Sequence, residues 1–238
     1  MVAAGVASAA DIEFWCTDAL VSSMRELVPP FERASGHHVK VTAANAGTIA
    51  ARLGNGEAPD LAIVLPPAWE RLRHEGRIDA GARTIVGKVG LGAFVRRGAR
   101  KPDLGTTQAF KEAILNARAI AVRDPSQRSP VGTYMLKVFE RLELADAIKG
   151  RLVLTAHPPY EEVIRGDADI GFSTLAEIAA EPRVELAGPL PTEIQTYNVF
   201  TTAIPLGRPR SAATGEFLHF LASESAKATL RSKGIGVD

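Results

Sequence analysis

The chain lacks several features that would place it in a familiar class of protein. Its 238 residues include a single cysteine, Cys16, which excludes a disulfide within the chain. The 28 Lys and Arg residues nearly balance the 27 Asp and Glu residues, so the formal net charge is only +1. That balance argues against a nucleic-acid-binding face or a membrane-surface patch. No apolar run reaches the length needed to span a bilayer.

Sequence signatures of common catalytic and nucleotide-binding sites are missing as well. There is no Walker loop, no dinucleotide fingerprint and no Ser-His-Asp order. The glycine-rich word Gly87-Lys-Val-Gly-Leu-Gly92 lies in a predicted strand and has no helix start after it, so we do not interpret it as a phosphate loop. No pair of the five histidines has metal-ligand spacing. We therefore predict no metal ion and no cofactor.

The first ten residues are small and mostly apolar, and Ala7-Ser-Ala9 has the form of a signal-peptidase site. A basic start and a longer apolar stretch, which a complete signal peptide needs, are not present. Two interpretations stay open, a small-residue tail or the remnant of a signal peptide, and we favour the remnant. In both cases residues 1–10 are expected to lie outside the fold.

Strands and helices alternate along the rest of the chain, which predicts an α/β fold with mostly parallel strands. Pro29-Pro30 is expected to kink or restart the first helix. The length favours two lobes, and no long Pro/Gly/Ser linker separates them, so extended strands must join them. We predict lobe I over residues 11–88 and 203–238, lobe II over residues 89–202, and crossover strands near residues 89–95 and 197–202.

Three strand-to-helix turns are the clearest functional signal. Residues 124–134 follow the apolar run Ala119-Ile-Ala-Val122 and precede a helical pattern, and residues 15–18 and 45–48 repeat this arrangement. Such a turn presents unpaired backbone N–H groups, and the helix N-terminus adds a partial positive charge. The three turns therefore predict a cleft that holds a small anionic solute.

Taken in order along the chain, several short sequence motifs resemble those of the type II periplasmic solute-binding proteins, and within them the molybdate-binding-like family. The likeness runs from about Ile12 to the C-terminus. It implies two α/β lobes, two crossover strands, an anion held by loop hydroxyls and backbone N–H groups, and a periplasmic protein that serves an ABC importer permease. The words are Phe31-Glu-Arg-Ala-Ser-Gly36, Ala46-Gly-Thr-Ile49 before Gly56-Glu-Ala-Pro-Asp60, Ser129-Pro-Val-Gly-Thr-Tyr134, Arg165-Gly-Asp-Ala-Asp-Ile-Gly171, Gly188-Pro-Leu-Pro191 and Phe220-Leu-Ala-Ser223.

The sequence departs from the molybdate-binding pattern at the anion site. Molybdate binders carry a serine in the first loop and a Ser-Gly-Thr-Leu word in the second, whereas here the second serine falls on Ala46 and the first loop reads Trp15-Cys-Thr17. The second half fits a sibling branch that shares Lys101-Pro-Asp103 and includes a periplasmic aconitate isomerase. A small carboxylate therefore stays open as the ligand beside a tetrahedral oxyanion.

The candidate ligand contacts lie on the three turns and on two later loops, and several have a second interpretation. Arg128 can bind a carboxylate through two hydrogen bonds or face solvent. Thr17 can cap a helix, and Cys16 is either a buried, unreactive thiol or a functional one. The predicted contacts are Cys16, Thr17, Asn45, Ala46, Gly47, Thr48, Arg128, Ser129, Val131, Gly132, Thr133, Tyr134, His157, Ser173 and Thr174.

The leading functional hypothesis is a monomeric periplasmic receptor for a small anion. The alternative is an isomerase of unsaturated carboxylates that uses the same cleft, in which Asp18 could act as a base. A third interpretation, the effector domain of a transcription regulator, ranks last because the chain has no helix-turn-helix segment.

Overall fold

The computed structural model describes residues 9–207 and 211–237. Most of the predicted N-terminal tail, residues 1–8, lies outside this range. Ala10 belongs to the fold, contrary to expectation, because its carbonyl accepts from the amide of His38 at 2.9 Å and its own amide donates to the ring of His37 at 3.2 Å. No helix in the described ranges is both long and apolar enough to cross a membrane.

The regular elements alternate as the sequence predicts. The strands are β1 (Asp11–Thr17), β2 (His38–Ala44), β3 (Leu61–Val64), β4 (Ile85–Arg96), β5 (Ile120–Arg123), β6 (Leu152–Thr155), β7 (Ile170–Thr174), β8 (Val184–Pro189) and β9 (Tyr197–Ala203). The helices are α1 (Val21–Ser35), α2 (Ala46–Gly54), α3 (Pro66–His74), α4 (Thr107–Asn116), α5 (Pro130–Arg141), α6 (Ala145–Ile148), α7 (Tyr160–Arg165), α8 (Leu175–Ala180), α9 (Ala212–Leu221) and α10 (Glu224–Ser232).

The strands form one continuous sheet in the order β2-β1-β3-β9-β4-β7-β5-β6, and β8 also pairs with β4. Strand β1 lies parallel to β2 and β3, and β5 lies parallel to β6 and β7. The prediction of mostly parallel strands is wrong, because the four pairings that involve β4 or β9 are antiparallel. The α/β class itself is confirmed.

Strand β4 lies in the middle of the sheet and joins its two parts, because the two ends of this long strand pair with different neighbours. Its residues 85–90 pair with β9, and its residues 91–96 pair with β7 and β8. We call the part built on β1, β2, β3 and β9, with helices α1–α3, α9 and α10, the first half, and the part built on β5–β8, with helices α4–α8, the second half. The exact lobe boundaries given above stay a prediction.

Helices cover both faces of the sheet, and aromatic side chains hold them there. In the first half, the rings of Phe14 and Phe217 meet edge to face, with centroids 5.3 Å apart. In the second half, Phe172 of β7 lies 6.1 Å from Phe110 of α4 and 5.9 Å from Phe139 of α5. These contacts fix α5 against the sheet and so determine where its first turn lies.

Helix α1 continues through Pro29 and Pro30 instead of restarting there. Each proline removes a helical hydrogen bond and costs about 3 kcal/mol in a helix interior. The helix nevertheless buries a stripe of apolar side chains, each worth about 1.5–3 kcal/mol, so tertiary packing outweighs the local cost. The buried residues of this stripe are Met24, Leu27, Val28 and Phe31.

Candidate functional site

A small cavity of about 40 Å³ lies between the two halves, where the predicted turns meet. Both halves supply its walls, so a ligand held there would touch both. From the first half it is lined by Asp18, Ala19, Asn45, Ala46 and Asn198. From the second half it is lined by Arg123, Ser129, Pro130, Val131, Pro158, Pro159, Phe172, Ser173, Thr174 and Glu177.

The N-terminus of α2 forms one wall of the cavity. Asn45 caps this helix, because its Oδ1 accepts from the amide of Thr48 at 2.9 Å. The Nδ2 of Asn45 donates to the carbonyl of Gln127 in the second half at 3.0 Å, so the cap also joins the halves. The amides of Ala46 and Gly47 have no acceptor within the described ranges. They are free to bind an anion, as helix N-termini commonly do.

The N-terminus of α5 forms the facing wall. Ser129 is buried and caps this helix, because its Oγ accepts from the amide of Gly132 at 3.0 Å. The Gly132 amide is therefore not available to a ligand, whereas the amide of Val131 has no acceptor in the described part of the chain. A β carbon at Gly132 would lie 1.8 Å from the carbonyl oxygen of Arg123, so only glycine lets α5 start this close to β5.

Arg123 brings a cation into the cavity from the carboxyl end of β5. Its Nη1 lies 3.2 Å from Oδ2 of Asp18, which makes an ion pair between the halves, and its side chain is only 17% exposed. The Nε of Arg123 is buried without a hydrogen-bond partner among the described residues. Arg123 therefore keeps donor capacity that an anion in the cavity could use.

Glu177 places a carboxyl group in the same wall. Its Oε2 accepts from Oγ1 of Thr174 at 2.5 Å and from Oγ of Ser173 at 3.2 Å. Burial raises the pKa of Glu177, and the charge of Asp18 adds to this, while the two hydroxyl hydrogen bonds act in the opposite direction. Ser173 and Thr174 thus reach the cavity as predicted, but their hydroxyls already serve Glu177.

Tyr160 lies behind this group. Burial raises the pKa of its phenol, and the nearby Glu177 contributes to the same shift. Its hydroxyl is buried without a hydrogen-bond partner in residues 9–207 and 211–237. Ser173 lies beside this phenol but outside hydrogen-bonding geometry. The phenol is therefore a spare donor next to the cavity.

Several predicted contacts do not line the cavity. Cys16 is fully buried in the core of the first half, and burial raises the pKa of its thiol to about 12. His157 is exposed, and only its carbonyl is used, by the hydroxyl of Thr155 at 2.5 Å. Tyr134 donates its hydroxyl to the carbonyl of Ile194 at 2.9 Å. These side chains have structural or surface positions instead.

The remaining predicted contacts lie at the edge of the site. The side chains of Arg128 and Thr133 are exposed and line an open surface groove beside α5. Gly47 and Thr48 are not lining residues, and the amide of Thr48 is taken up by Asn45. Thr17 makes no cap hydrogen bond, contrary to the expected role, and its buried Oγ1 has no partner among the described residues.

Sequence reasoning did not select Arg123, Asn198, Tyr160 or Glu177 for the site. A signal existed for Arg123, because it ends a parallel strand and ligands of open α/β sheets bind outside the carboxyl ends of such strands. Glu177 gave no such signal, since an acid in the first turn of a helix is explained by the helix dipole alone. In the described ranges no group of three or more His, Cys, Asp or Glu residues could hold a metal ion.

Comparison with known proteins decides the family. The profile of the bacterial extracellular solute-binding proteins matches residues 12–236, which is nearly the whole chain. The chain belongs to this family. The solute-binding protein is 27% identical to an aconitate isomerase from Pseudomonas sp over 223 residues, which cover 91% of this chain and 84% of that protein. It is 26% identical to the molybdate-binding protein ModA of Azotobacter vinelandii over 180 residues, 72% of this chain and 68% of the relative.

The solved structures confirm the predicted fold. The periplasmic molybdate-binding protein of Azotobacter vinelandii superposes with a TM-score of 0.78 at 20% sequence identity, and the match covers 95% of this chain and 99% of that one. The solute-binding protein therefore has the type II periplasmic-binding fold, as its sequence words indicated.

Proposed function

We propose that this solute-binding protein captures a small anion in the cavity between its halves and presents it to the permease of an ABC importer in the periplasm. The observation that carries the proposal is the meeting of two helix N-termini, from different halves, at one cavity. Ala46 and Val131, whose amides are free, line this cavity together with Arg123, and the free amide of Gly47 follows that of Ala46 in the first turn of α2.

The hydrogen bonds available in the cavity are strong enough to give the affinity of a solute receptor. A hydrogen bond to a charged group contributes about 1.5–3 kcal/mol, and a helix N-terminus adds about 0.3–1 kcal/mol for an anion. Three amides and one guanidinium can therefore supply the roughly −8 kcal/mol of a micromolar Kd after the costs of closure. We propose that the lobes predicted above close about β4 and the chain around residues 197–202.

The size of the cavity limits the ligand. One water molecule needs about 10–15 Å³ on the same scale, so about 40 Å³ suits a compact oxyanion or a short carboxylate. A six-carbon tricarboxylate would fit only with the halves further apart. The hydroxyl hydrogens of Ser173 and Thr174 are already donated to Glu177, whereas the oxygen of Ser129 accepts from Gly132 and leaves its own hydrogen for a ligand. The donors available in the cavity wall are therefore amides, an arginine and the hydroxyl of Ser129.

A screen of anions tests the proposal. Thermal shift followed by calorimetry should compare molybdate, tungstate, phosphate, sulfate and small mono-, di- and tricarboxylates. We expect saturable binding of at least one compact anion and its weakening, about tenfold or more, in Arg123→Gln. Arg96→Gln, at an exposed end of β4, is the matched control and should bind normally. Absence of binding across the whole panel contradicts the proposal.

An isomerase is the second candidate, supported by the relative named an aconitate isomerase and by the acid-base groups beside the cavity. Asp18 and Glu177 are carboxyl groups that could exchange a proton with a bound carbon acid. Mixing the protein with trans-aconitate and following the cis isomer by NMR separates the two functions. Turnover that is lost in Glu177→Gln favours the isomerase, whereas saturable binding without turnover favours the receptor.

A further inference from the structure

The cavity wall contains two carboxyl groups, those of Asp18 and Glu177. Asp18 is paired with Arg123, whereas Glu177 has no cationic partner among the described residues, so its charge would repel the proposed anion. Its Oε2 already accepts from the hydroxyls of Ser173 and Thr174. A hydroxyl has a single hydrogen to donate, so neither side chain can also donate to a ligand in this arrangement. An ionised Glu177 therefore adds a negative charge to the anion site and removes two donors from it.

The other charged groups around Glu177 do not compensate for it. Asp18 and Arg123 neutralise each other as an ion pair, and the buried phenol of Tyr160 carries no charge. Further charged residues on the elements packed against α8, or at its end, are exposed or paired: Lys88 and Arg96 of β4 are exposed, Glu185 of β8 pairs with Lys101, and Glu181 pairs with Arg183. Ionised Glu177 would thus leave the cavity with one net negative charge.

That charge is large enough to decide binding. Two like charges about 4 Å apart, at an effective dielectric constant near 20, lower an affinity on the order of 10³-fold. A proton on Glu177 removes this repulsion and turns the carboxyl group into a hydrogen-bond donor. Burial, followed by the charge of Asp18, raises the pKa of Glu177, which is the direction that proton binding requires.

We propose that Glu177 takes up a proton when the anion binds, so that the cavity accepts a small anion and one proton together. This inference rests on the proposed function of the cavity as an anion site. It makes ligand affinity depend on the protonation of Glu177, so that affinity falls as the pH rises. The proton remains on the carboxyl group and no covalent step is involved.

Calorimetry tests the inference directly. Sulfate, molybdate and succinate serve as probes, because their own ionisation changes little between about pH 6.5 and 9. Titrations in buffers with different ionisation enthalpies count the protons taken up per anion. For the wild type we expect uptake that approaches one proton and a Kd that weakens about tenfold per pH unit above the pKa of free Glu177.

Two variants test which carboxyl group takes up the proton. Glu177→Gln should bind the anion with no proton uptake and with little dependence on pH, whereas Asp18→Asn should keep the uptake. Anion binding by the wild type with no proton uptake overturns the inference and leaves the proposed function standing. Uptake that persists in Glu177→Gln but disappears in Asp18→Asn also overturns it. Complete absence of binding by the wild type overturns the inference and the proposed function together. The number of protons taken up per anion is measured on the wild type alone, so a poorly folded Glu177→Gln variant would not prevent the test.

Discussion

Gly47 in the first half lies directly against the carbonyl oxygen of Arg128 in the second half, so closely that a β carbon at position 47 would stand 2.0 Å from that oxygen. Two residues earlier, the side chain of Asn45 donates across the same boundary to the carbonyl of Gln127 at 3.0 Å. The halves therefore meet along the first turn of α2, next to the cavity. Their approach depends on the absence of a side chain at Gly47.

Gly47→Ala should hinder closure without unfolding the protein. The added methyl group meets Arg128 only when the halves are together, and alanine is at least as favourable as glycine in a helix. We expect anion affinity to fall about tenfold or more, with unfolding free energy changed by less than about 1 kcal/mol. Calorimetry and chemical denaturation measure the two quantities. Gly54→Ala, in the same helix, is the control, since its β carbon would have only ordinary contacts at 3.9 Å.

Asn45→Ala should affect stability and binding together. Loss of the cap of α2 costs about 1 kcal/mol, and the cross-boundary bond to Gln127 disappears with it. Thr106→Ala removes a comparable cap, from α4, where Thr106 accepts from the amide of Ala109 at 3.1 Å but has no contact with the cavity. Similar losses of stability are expected in denaturant melts of both variants. Only Asn45→Ala should also weaken anion binding, and equal binding by the two variants would refute the proposed role of Asn45.

Asp18→Asn should tighten anion binding. The carboxylate of Asp18 occupies Arg123 from the first half, so it competes with any anion for the same guanidinium. Its replacement by a neutral amide of similar shape frees that cation, and we expect a several-fold lower Kd. Calorimetry at constant ionic strength measures the change. Weaker binding by Asp18→Asn would show instead that the ion pair holds Arg123 in the orientation that a ligand needs.

Glu177 should make stability depend on pH in a defined direction. Its pKa is raised in the fold, so its favourable contribution is complete below the unfolded value of about 4.3 and is lost as the pH rises through the folded value. Without ligand, Glu177→Gln should therefore become more stable relative to the wild type between acid and neutral pH, as seen in thermal melts.

The matched variant for this prediction is Glu181→Gln, at the end of the same helix. Hydrogen bonding to Arg183 lowers the pKa of Glu181, so its contribution is present above the unfolded value and is lost as the pH falls. Relative to the wild type, Glu181→Gln should thus lose stability as the pH rises, opposite to Glu177→Gln. The same pH trend in both variants would contradict the assigned environments.

Cys16 should resist alkylation in the native protein. Burial raises the pKa of its thiol to about 12, so the reactive thiolate is rare at pH 8, and the side chain is fully enclosed. Iodoacetamide should label it only after unfolding in guanidinium chloride, as followed by mass spectrometry. Rapid labelling of the folded protein would place the thiol in an accessible position and return it to the candidate ligand contacts.

Local chemistry predicted the positions of the three turns, since each follows the end of a strand, and two of them have a side-chain cap. Asn45 and Ser129 cap α2 and α5 as their residue types suggest, and both line the cavity. The sequence could not predict that β4 and β9 run antiparallel to their neighbours, because strand direction is a long-range property. Pro29 and Pro30 likewise suggested a local break, but burial of one face of α1 keeps the helix continuous.

The charged groups of the site were harder to predict from the sequence, because the direction in which each side chain points depends on tertiary contacts. Arg123 meets Asp18 across a separation of 105 residues, and only the tertiary arrangement of the two halves brings them together. Glu177 becomes part of the site because α8 starts beside the cavity and turns this carboxyl group toward Ser173 and Thr174. The hydroxyls of Ser173 and Thr174, which the sequence assigned to a ligand, are for that reason already engaged.

A crystal structure with a bound anion tests the central claim most directly. Crystals grown with the tightest-binding anion of the panel, or with tungstate as an anomalous scatterer, should show one anion between the first turns of α2 and α5. We expect it within about 2.7–3.2 Å of the amides of Ala46, Gly47 and Val131, with Arg123 as a further donor. An anion bound elsewhere, or no anion at saturating concentration, would contradict the account.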